Sequence, residues 1–289
     1  MLKEFLALYT RTALRGSTRL TRILSHRLPS LQSLPVETEG GTVIIDLRIA
    51  SAVAILAYPK SQSGESDVMR QFVNAGDCAF DIGAHFGFYT TLLSELVGKD
   101  GSVVAFEPNP QMLPSLKKTL DLKSNVRLFD CALSDQEGTI IDLYVPEDAS
   151  MASLSDWTSG RGGNVHKATC QMNILDDLVE SENLRIPQFI KCDVEGAELS
   201  VFRGAVTTLD RVDAPVILFE LNAKAAEAFG TTTMAYFDLL ESLRLPDYKF
   251  FEVTAKGLQK LMSRDIEYTN VLAVPASKID SQLSAKIAK

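Results

Sequence analysis

The chain has 289 residues, 46% hydrophobic and 23% charged. That composition excludes a mostly disordered or collagen-like molecule and suits one large domain with extensions. A formal charge of −8 gives no electrostatic ground for a nucleic-acid partner.

Residues 1–31 form the first unit, a basic helical extension. Six basic side chains against one acidic give it a net charge of +5, while the remainder nets −13. Arg11, Arg15, Arg19 and Arg22 recur at spacings of four, four and three, which sets them along one stripe of a helix, and Leu2, Leu6, Tyr9, Leu20, Ile23 and Leu24 lie largely elsewhere on the wheel. Peripheral contact with an anionic membrane surface, or packing on the chain's own acidic body, are the two roles such a helix suits. No run of about 18 apolar residues predicts a membrane span. The short apolar stretch at 5–9, with arginines after it, does not read as a secretory signal, so the expected location is cytoplasmic.

Residues 32–77 form a lead-in of hairpin and helix, where the β-type runs at 42–47 and 53–58 are expected to pair. From 78 to 289 strands alternate with helix-length segments. The strands are expected at 78–83, 102–107, 126–133, 189–193, 215–221, 249–253 and 269–274, with an insertion before 189 that holds strand-like runs at 139–145 and 165–172 and a Ser/Gly-rich loop at 150–163. Several runs are continuously apolar, as strands covered on both faces must be, so the fold class is α/β, an open and mostly parallel sheet with helices on both faces. Four of these runs end in an acid: Asp81, Glu107, Asp193 and Glu220. Ligands of such sheets bind at the carboxyl ends of the strands.

The first of those ends carries Asp81-Ile-Gly83-Ala-His85-Phe-Gly87. A nicotinamide fingerprint needs glycines at 83, 85 and 88, and this chain has His85 and Phe88 at two of them. The pattern is Asp-x-Gly-x-x-x-Gly, with a carboxylate that repels a pyrophosphate and attracts an ammonium. S-adenosylmethionine offers an ammonium, a sulfonium and no phosphate. Glu107 closes the next apolar run, where a carboxylate can accept from a ribose diol, and Asp130 follows the third, where it can accept from an adenine amino group.

Together with Phe106-Glu-Pro-Asn-Pro110, Cys131-Ala-Leu-Ser-Asp135, Leu175-Asp-Asp-Leu178 and Ile190-Lys-Cys-Asp-Val-Glu-Gly-Ala-Glu198, the sequence resembles the FkbM-type family of S-adenosylmethionine-dependent methyltransferases over roughly residues 78–222. The resemblance implies a class I (Rossmann-like) methyltransferase fold with a reversed last strand. It also implies O-methylation of a sugar, glycolipid or secondary-metabolite hydroxyl, so the expected partner is a small-molecule or glycan acceptor. Carried over by position, the cofactor pocket is lined by Asp81, Gly83, Ala84, His85 and Gly87, by Glu107 and Pro108, and by Asp130, Cys131 and Ala132, with Asp193 to Glu198 facing the methyl group.

A hydroxyl must lose its proton as the new C–O bond forms, and a carboxylate beside a hydrophobic cleft can take it. Asp193 and Glu195 are the catalytic candidates, with His85 and Glu220 behind them. Glu198 is expected to do no more than favour the first turn of the helix after it. Asp193, Glu195, Glu220 and Asn222 are also oxygen ligands that a divalent metal accepts, but strand-end carboxylates have cofactor and base roles as well, so no metal is assigned. Cys78, Cys131, Cys170 and Cys192 lack CxxC spacing and read as buried thiols, and His166 as a solvated loop residue. Trp157 could stack on an acceptor or anchor its own loop. The alternative function is a catalytically idle adenosyl-binding or scaffolding protein that docks through the basic N-terminal helix.

Overall fold

The computed structural model describes residues 2–12, 16–60, 64–136, 138, 140–146, 151–156 and 165–279. Arg15, Trp157 and the 157–163 part of the Ser/Gly-rich loop lie outside them.

Helices α1 (Leu2–Arg11) and α2 (Ser17–Arg27) lead into a hairpin of β1 (Leu34–Thr38) and β2 (Gly41–Ile45), registered from Leu34 opposite Ile45 to Thr38 opposite Gly41. Next come α3 (Ala50–Ala57) and α4 (Glu65–Phe72). The hairpin expected between 42–47 and 53–58 is therefore not formed. The first run pairs upstream across a Glu39-Gly40 turn, and most of the second falls in α3, whose eight residues include four alanines. Alanine's helix propensity won over the β-type character of Val53 and Ile55.

Then follow β3 (Cys78–Ile82), α5 (Phe88–Val97), β4 (Ser102–Phe106), α6 (Leu113–Leu120), β5 (Val126–Phe129) and β6 (Cys131–Ser134). The insertion holds β7 (Ile140–Val145) and β8 (His166–Ile174), and α7 (Leu175–Ser181) leads to β9 (Phe189–Cys192). The chain closes with α8 (Glu198–Arg203), α9 (Val206–Leu209), β10 (Val216–Asn222), α10 (Ala223–Ala228), α11 (Thr233–Ser242), β11 (Tyr248–Thr254), β12 (Gly257–Lys260) and β13 (Tyr268–Pro275).

Eight strands make the main sheet, in the order β12-β11-β13-β10-β9-β3-β4-β5. From β10 to β5 every pairing is parallel, while β13 runs antiparallel to β10 and to β11. A reversed strand slotted beside an otherwise parallel run is the class I methyltransferase architecture. The expected strand at 126–133 is split. Its first half ends opposite Phe106, beyond which β4 has turned away, and its second half pairs with β8 in a separate three-stranded sheet, β6-β8-β7.

Side-chain alternation divides the main sheet's two faces. Phe80, Ile82, Phe106, Ile190 and Phe219 pack with Leu199 and Phe202 of α8 and Tyr236 and Phe237 of α11. Ala79, Val103, Phe189 and Leu218 pack with Val68 and Met69 of α4 and Leu92 and Leu93 of α5. A second core joins Leu6 of α1, Val43 and Ile45 of β2, Val53 and Leu56 of α3, and Leu143, Val145 and Cys170 of the small sheet.

Candidate active site

The turns that leave β3, β4 and β9 open onto one cavity of about 560 Å³, within the usual range for small-molecule sites. Gly83 sets its floor. Its φ is 85°, and the Gly83 and Ala84 N–H groups both donate to the Phe106 carbonyl at 3.0 Å. A Cβ here would collide with the Asp193 carbonyl, so only glycine lets the ends of β3 and β9 approach this closely. His85 follows with φ 55°; its Nε2 lies 3.0 Å from Ser51 Oγ on α3, and its backbone N–H donates to Glu107 Oε2 at 2.7 Å. Glu107 Oε1 accepts from the Asn109 N–H at 2.8 Å. Burial pushes the Glu107 carboxyl up to about 7, against the pull of those two N–H groups.

Asp81 lies behind this wall and does not line the cavity. It faces the α4 and α5 layer, opposite Lys191 on β9, and accepts from Thr90 Oγ1 at 2.5 Å. Its Oδ1 has no hydrogen-bond partner among the described residues, and burial raises its pKa although the Lys191 charge opposes that. Lys191 is 3% exposed, donates to Asp193 Oδ2 at 3.2 Å and sits over the Tyr89 ring at 5.2 Å. Burial works against its charge, but Asp193, Asp81 and Glu65 together hold its pKa above the ordinary lysine value.

The loop after β9 is bent by two left-handed residues, Glu195 at φ 56° and Gly196 at φ 100°. Glu198 braces it from within: Oε1 accepts from the Val194 N–H at 2.9 Å and the Gly196 N–H at 3.3 Å, and Tyr236 Oη reaches the Gly196 carbonyl at 3.2 Å and Glu198 Oε2 at 3.5 Å. Burial pushes this carboxyl up to about 7. Its partners are thus in the loop before α8, beyond the helix-turn role expected from the sequence. Ser153 Oγ donates to the Glu195 carbonyl at 2.8 Å, which ties the insertion to the same loop.

Carboxylate oxygens of Asp193, Glu195 and Glu220 lie within 4.8 Å of one another. Glu220 is pushed up to about 8, first by burial and then by the Asp193 charge, and accepts from Tyr268 Oη at 2.8 Å. The Asn222 side chain caps α10 by accepting from the Ala225 N–H.

Of the residues singled out from the sequence, Gly83, Ala84, His85, Glu107, Pro108, Cys131, Ala132, Asp193 and Glu195 line the cavity. Gly87 instead seats α5 against Leu116 and Thr119 of α6, and Asp130 is exposed, 3.4 Å from Lys117 Nζ. Burial pushes the Cys131 thiol up to about 11. His166 is exposed at the start of β8, away from the lining. Sequence reasoning missed Lys191, although its place two residues before Asp193 on a strand puts both side chains on one face. It also missed Ser51, Ala54 and Ile55 of α3 and Tyr58 just after it, where no motif marks the wall.

Residues 81–250, more than half of the chain, match the family model of the methyltransferase FkbM domain. The chain belongs to the FkbM methyltransferase family. S-adenosylmethionine is the methyl donor of this family. This FkbM chain is 28% identical over 164 residues to the hexuronic acid methyltransferase AglP of Haloferax volcanii, covering 53% of itself and 62% of that protein. It is 26% identical over 152 residues to the methyltransferase sdnD of Sordaria araneosa, covering 43% and 58%. The chain thus spans about six-tenths of the length of these curated relatives. A solved FkbM methyltransferase from Methylobacillus flagellatus superposes with a TM-score of 0.43 at 17% identity, over 78% of this chain and 54% of that one.

Proposed function

We propose that the chain transfers a methyl group from S-adenosylmethionine to a hydroxyl of a sugar, glycolipid or secondary metabolite. The observation that carries this reading is the convergence of a glycine-turn cradle and an acidic loop on one cavity. Gly83, Ala84, His85, Glu107, Pro108, Cys131 and Ala132 would hold the nucleoside. The cradle fits it: Gly83 lets the ends of β3 and β9 close up beneath the cavity, and Glu107, with one N–H on each oxygen, keeps acceptor capacity for a ribose diol. When bound, the cofactor supplies a methyl carbon already activated by its sulfonium.

The chain's own part is to orient the acceptor and take its proton. Burial and the Asp193 charge raise the Glu220 carboxyl and favour its protonated form, which supports Asp193 and Glu195 in the proton-accepting role. Lys191 fixes the Asp193 carboxylate through its 3.2 Å contact. The hexuronic acid activity named for the Haloferax relative supports a uronic acid glycan as the first acceptor to try.

Calorimetry with S-adenosylmethionine, S-adenosylhomocysteine and NAD, followed by labelled-methyl transfer to uronic acid glycans, tests the proposal. Both adenosyl compounds should bind and NAD should not. Asp193→Asn should keep S-adenosylhomocysteine binding and lower turnover by about 10²-fold or more. Binding of NAD alone would overturn the cofactor, and binding without transfer to any hydroxylated acceptor would favour an idle scaffold.

A further inference from the structure

Helix α2 buries mostly polar residues, with Leu24 alone of its apolar side chains partly buried against the N-terminal core. Its buried residues are Ser17, Thr21 and Ser25, and the Thr21 hydroxyl has no hydrogen-bond partner among the described residues, while Leu20 and Ile23 are 44% and 47% exposed. A helix packed on a globular body ordinarily turns its apolar stripe inward. Helix α1 does bury Leu6, but Leu2, Phe5 and Leu8, spaced by threes along one stripe, are 44%, 60% and 64% exposed. Isolated apolar side chains on a surface need no account. A stripe on each of two touching helices does.

The exposed face of α2 is also cationic. Arg19, Ile23 and Arg27 follow at four-residue spacing, with His26 beside them, on a segment of net +5 attached to a body of net −13. Apolar side chains interleaved with arginines, presented outward by an otherwise acidic protein, complement a surface that is apolar beneath and anionic at its rim. The location is also informative. Arg11 Nε donates to the Ala57 carbonyl at 2.5 Å, which brings the end of α1 beside Tyr58, a half-exposed ring on the cavity lining.

We infer that α1 and α2 dock the chain on an anionic lipid bilayer, with Phe5, Leu8, Leu20 and Ile23 entering the acyl boundary and Arg19 and Arg27 meeting lipid phosphates. The docking stands apart from the methyl-transfer reading. If both hold, the cavity rim at Tyr58 lies near the bilayer, where an acceptor carried on a lipid can be reached, and that last step rests on the proposed reaction.

The test is flotation of the full chain with vesicles of phosphatidylcholine containing about one-third phosphatidylglycerol, beside vesicles of phosphatidylcholine alone. The double variants Phe5→Ser/Leu8→Ser and Leu20→Ser/Ile23→Ser run in parallel, with thermal midpoint and S-adenosylhomocysteine affinity measured on each. The chain should float with the anionic vesicles at least about tenfold better than with the neutral ones. Each double variant should lose about tenfold in vesicle affinity at unchanged midpoint and unchanged S-adenosylhomocysteine affinity. Absence of flotation, flotation indifferent to both variants, or self-association of the chain that the same variants abolish would each overturn the docking. Flotation by a chain that binds no adenosyl compound would sink the methyl-transfer reading and leave the docking intact.

Discussion

Glu195 holds a backbone conformation its side chain does nothing to favour. Four non-glycine residues among those described have positive φ: His85, Asn183, Glu195 and Asp247. Asparagine and aspartate adopt that region with little strain, and histidine is tolerated, but a glutamate there costs about 1–2 kcal/mol. Two of the four, His85 and Glu195, line the cavity. Strain kept at a ligand site is expected where the side chain itself is needed. Glu195→Asn should therefore match or exceed the parent in thermal midpoint, because asparagine is at ease at φ 56°, while methyl transfer falls by about 10²-fold or more through loss of the carboxylate. Differential scanning calorimetry and a turnover assay on the same sample decide it. Undiminished turnover would remove Glu195 from the proton transfer. Residues of this kind were legible in the sequence because an acid beside a strand end is a local signal. Asp81 marks the reach of that signal: its distance from the glycine turn was visible, but the pleat that aims it at Lys191 and the α5 layer was not.

At the scale of elements, the loop between β9 and α8 is set by a carboxyl inside it. Glu198 is 1% exposed, and burial outweighs the two N–H groups that favour its charged form. A carboxyl held at about 7 when folded, against an ordinary value of 4.5, binds its proton more tightly in the native state. Its stabilising contribution is complete below about pH 4.5 and is lost as pH rises through about 7. Glu107, also at about 7, and Glu220, at about 8, act in the same direction, so the thermal midpoint should fall between pH 5 and pH 8. Glu198→Gln keeps an oxygen for the Val194 and Gly196 N–H groups and cannot ionise, so its midpoint should fall less steeply over that window. An equal slope in parent and variant, by scanning calorimetry at unit pH steps, would show that this carboxyl does not titrate there. Several core strands, β3, β4, β9 and β10 among them, were readable because they are apolar runs covered on both faces. The run at 126–133 looked continuous for that reason, although its two halves serve different sheets. The short outer strand β12, Gly257–Lys260, has no such run and went unseen.

At the scale of the whole molecule, the cavity lies between the main-sheet core and the core built by the N-terminal layer and the small sheet. Part of its wall comes from the ends of β3, β4 and β9 and from β6, whose motifs carry chemistry and so could be read directly. Another part comes from α3 and from Ala152 to Leu154 of the insertion. Nothing in residues 50–58 marks a binding surface. Ser51, Ala54, Ile55 and Tyr58 face the cavity only because Val53 and Leu56, on the opposite side of the same helix, pack with the β1–β2 hairpin and the small sheet. Tertiary packing of this sort leaves no trace in local pattern. It does make a sharp expectation. Ala54 is exposed and touches the cavity, so a larger side chain there has solvent on one side and ligand space on the other. Ala54→Trp should leave the thermal midpoint within a few degrees of the parent, since surface replacements usually stay within about 0.5 kcal/mol. The indole would take part of the space of about 560 Å³, and S-adenosylhomocysteine or acceptor affinity should fall by about tenfold or more, equivalent to about 1.4 kcal/mol. Calorimetric titration of the two ligands in turn tells which end of the cavity α3 covers. Unchanged affinity for both would mean that the reacting groups bind wholly against the main sheet, and that the N-terminal layer is a neighbour of the site and no part of it.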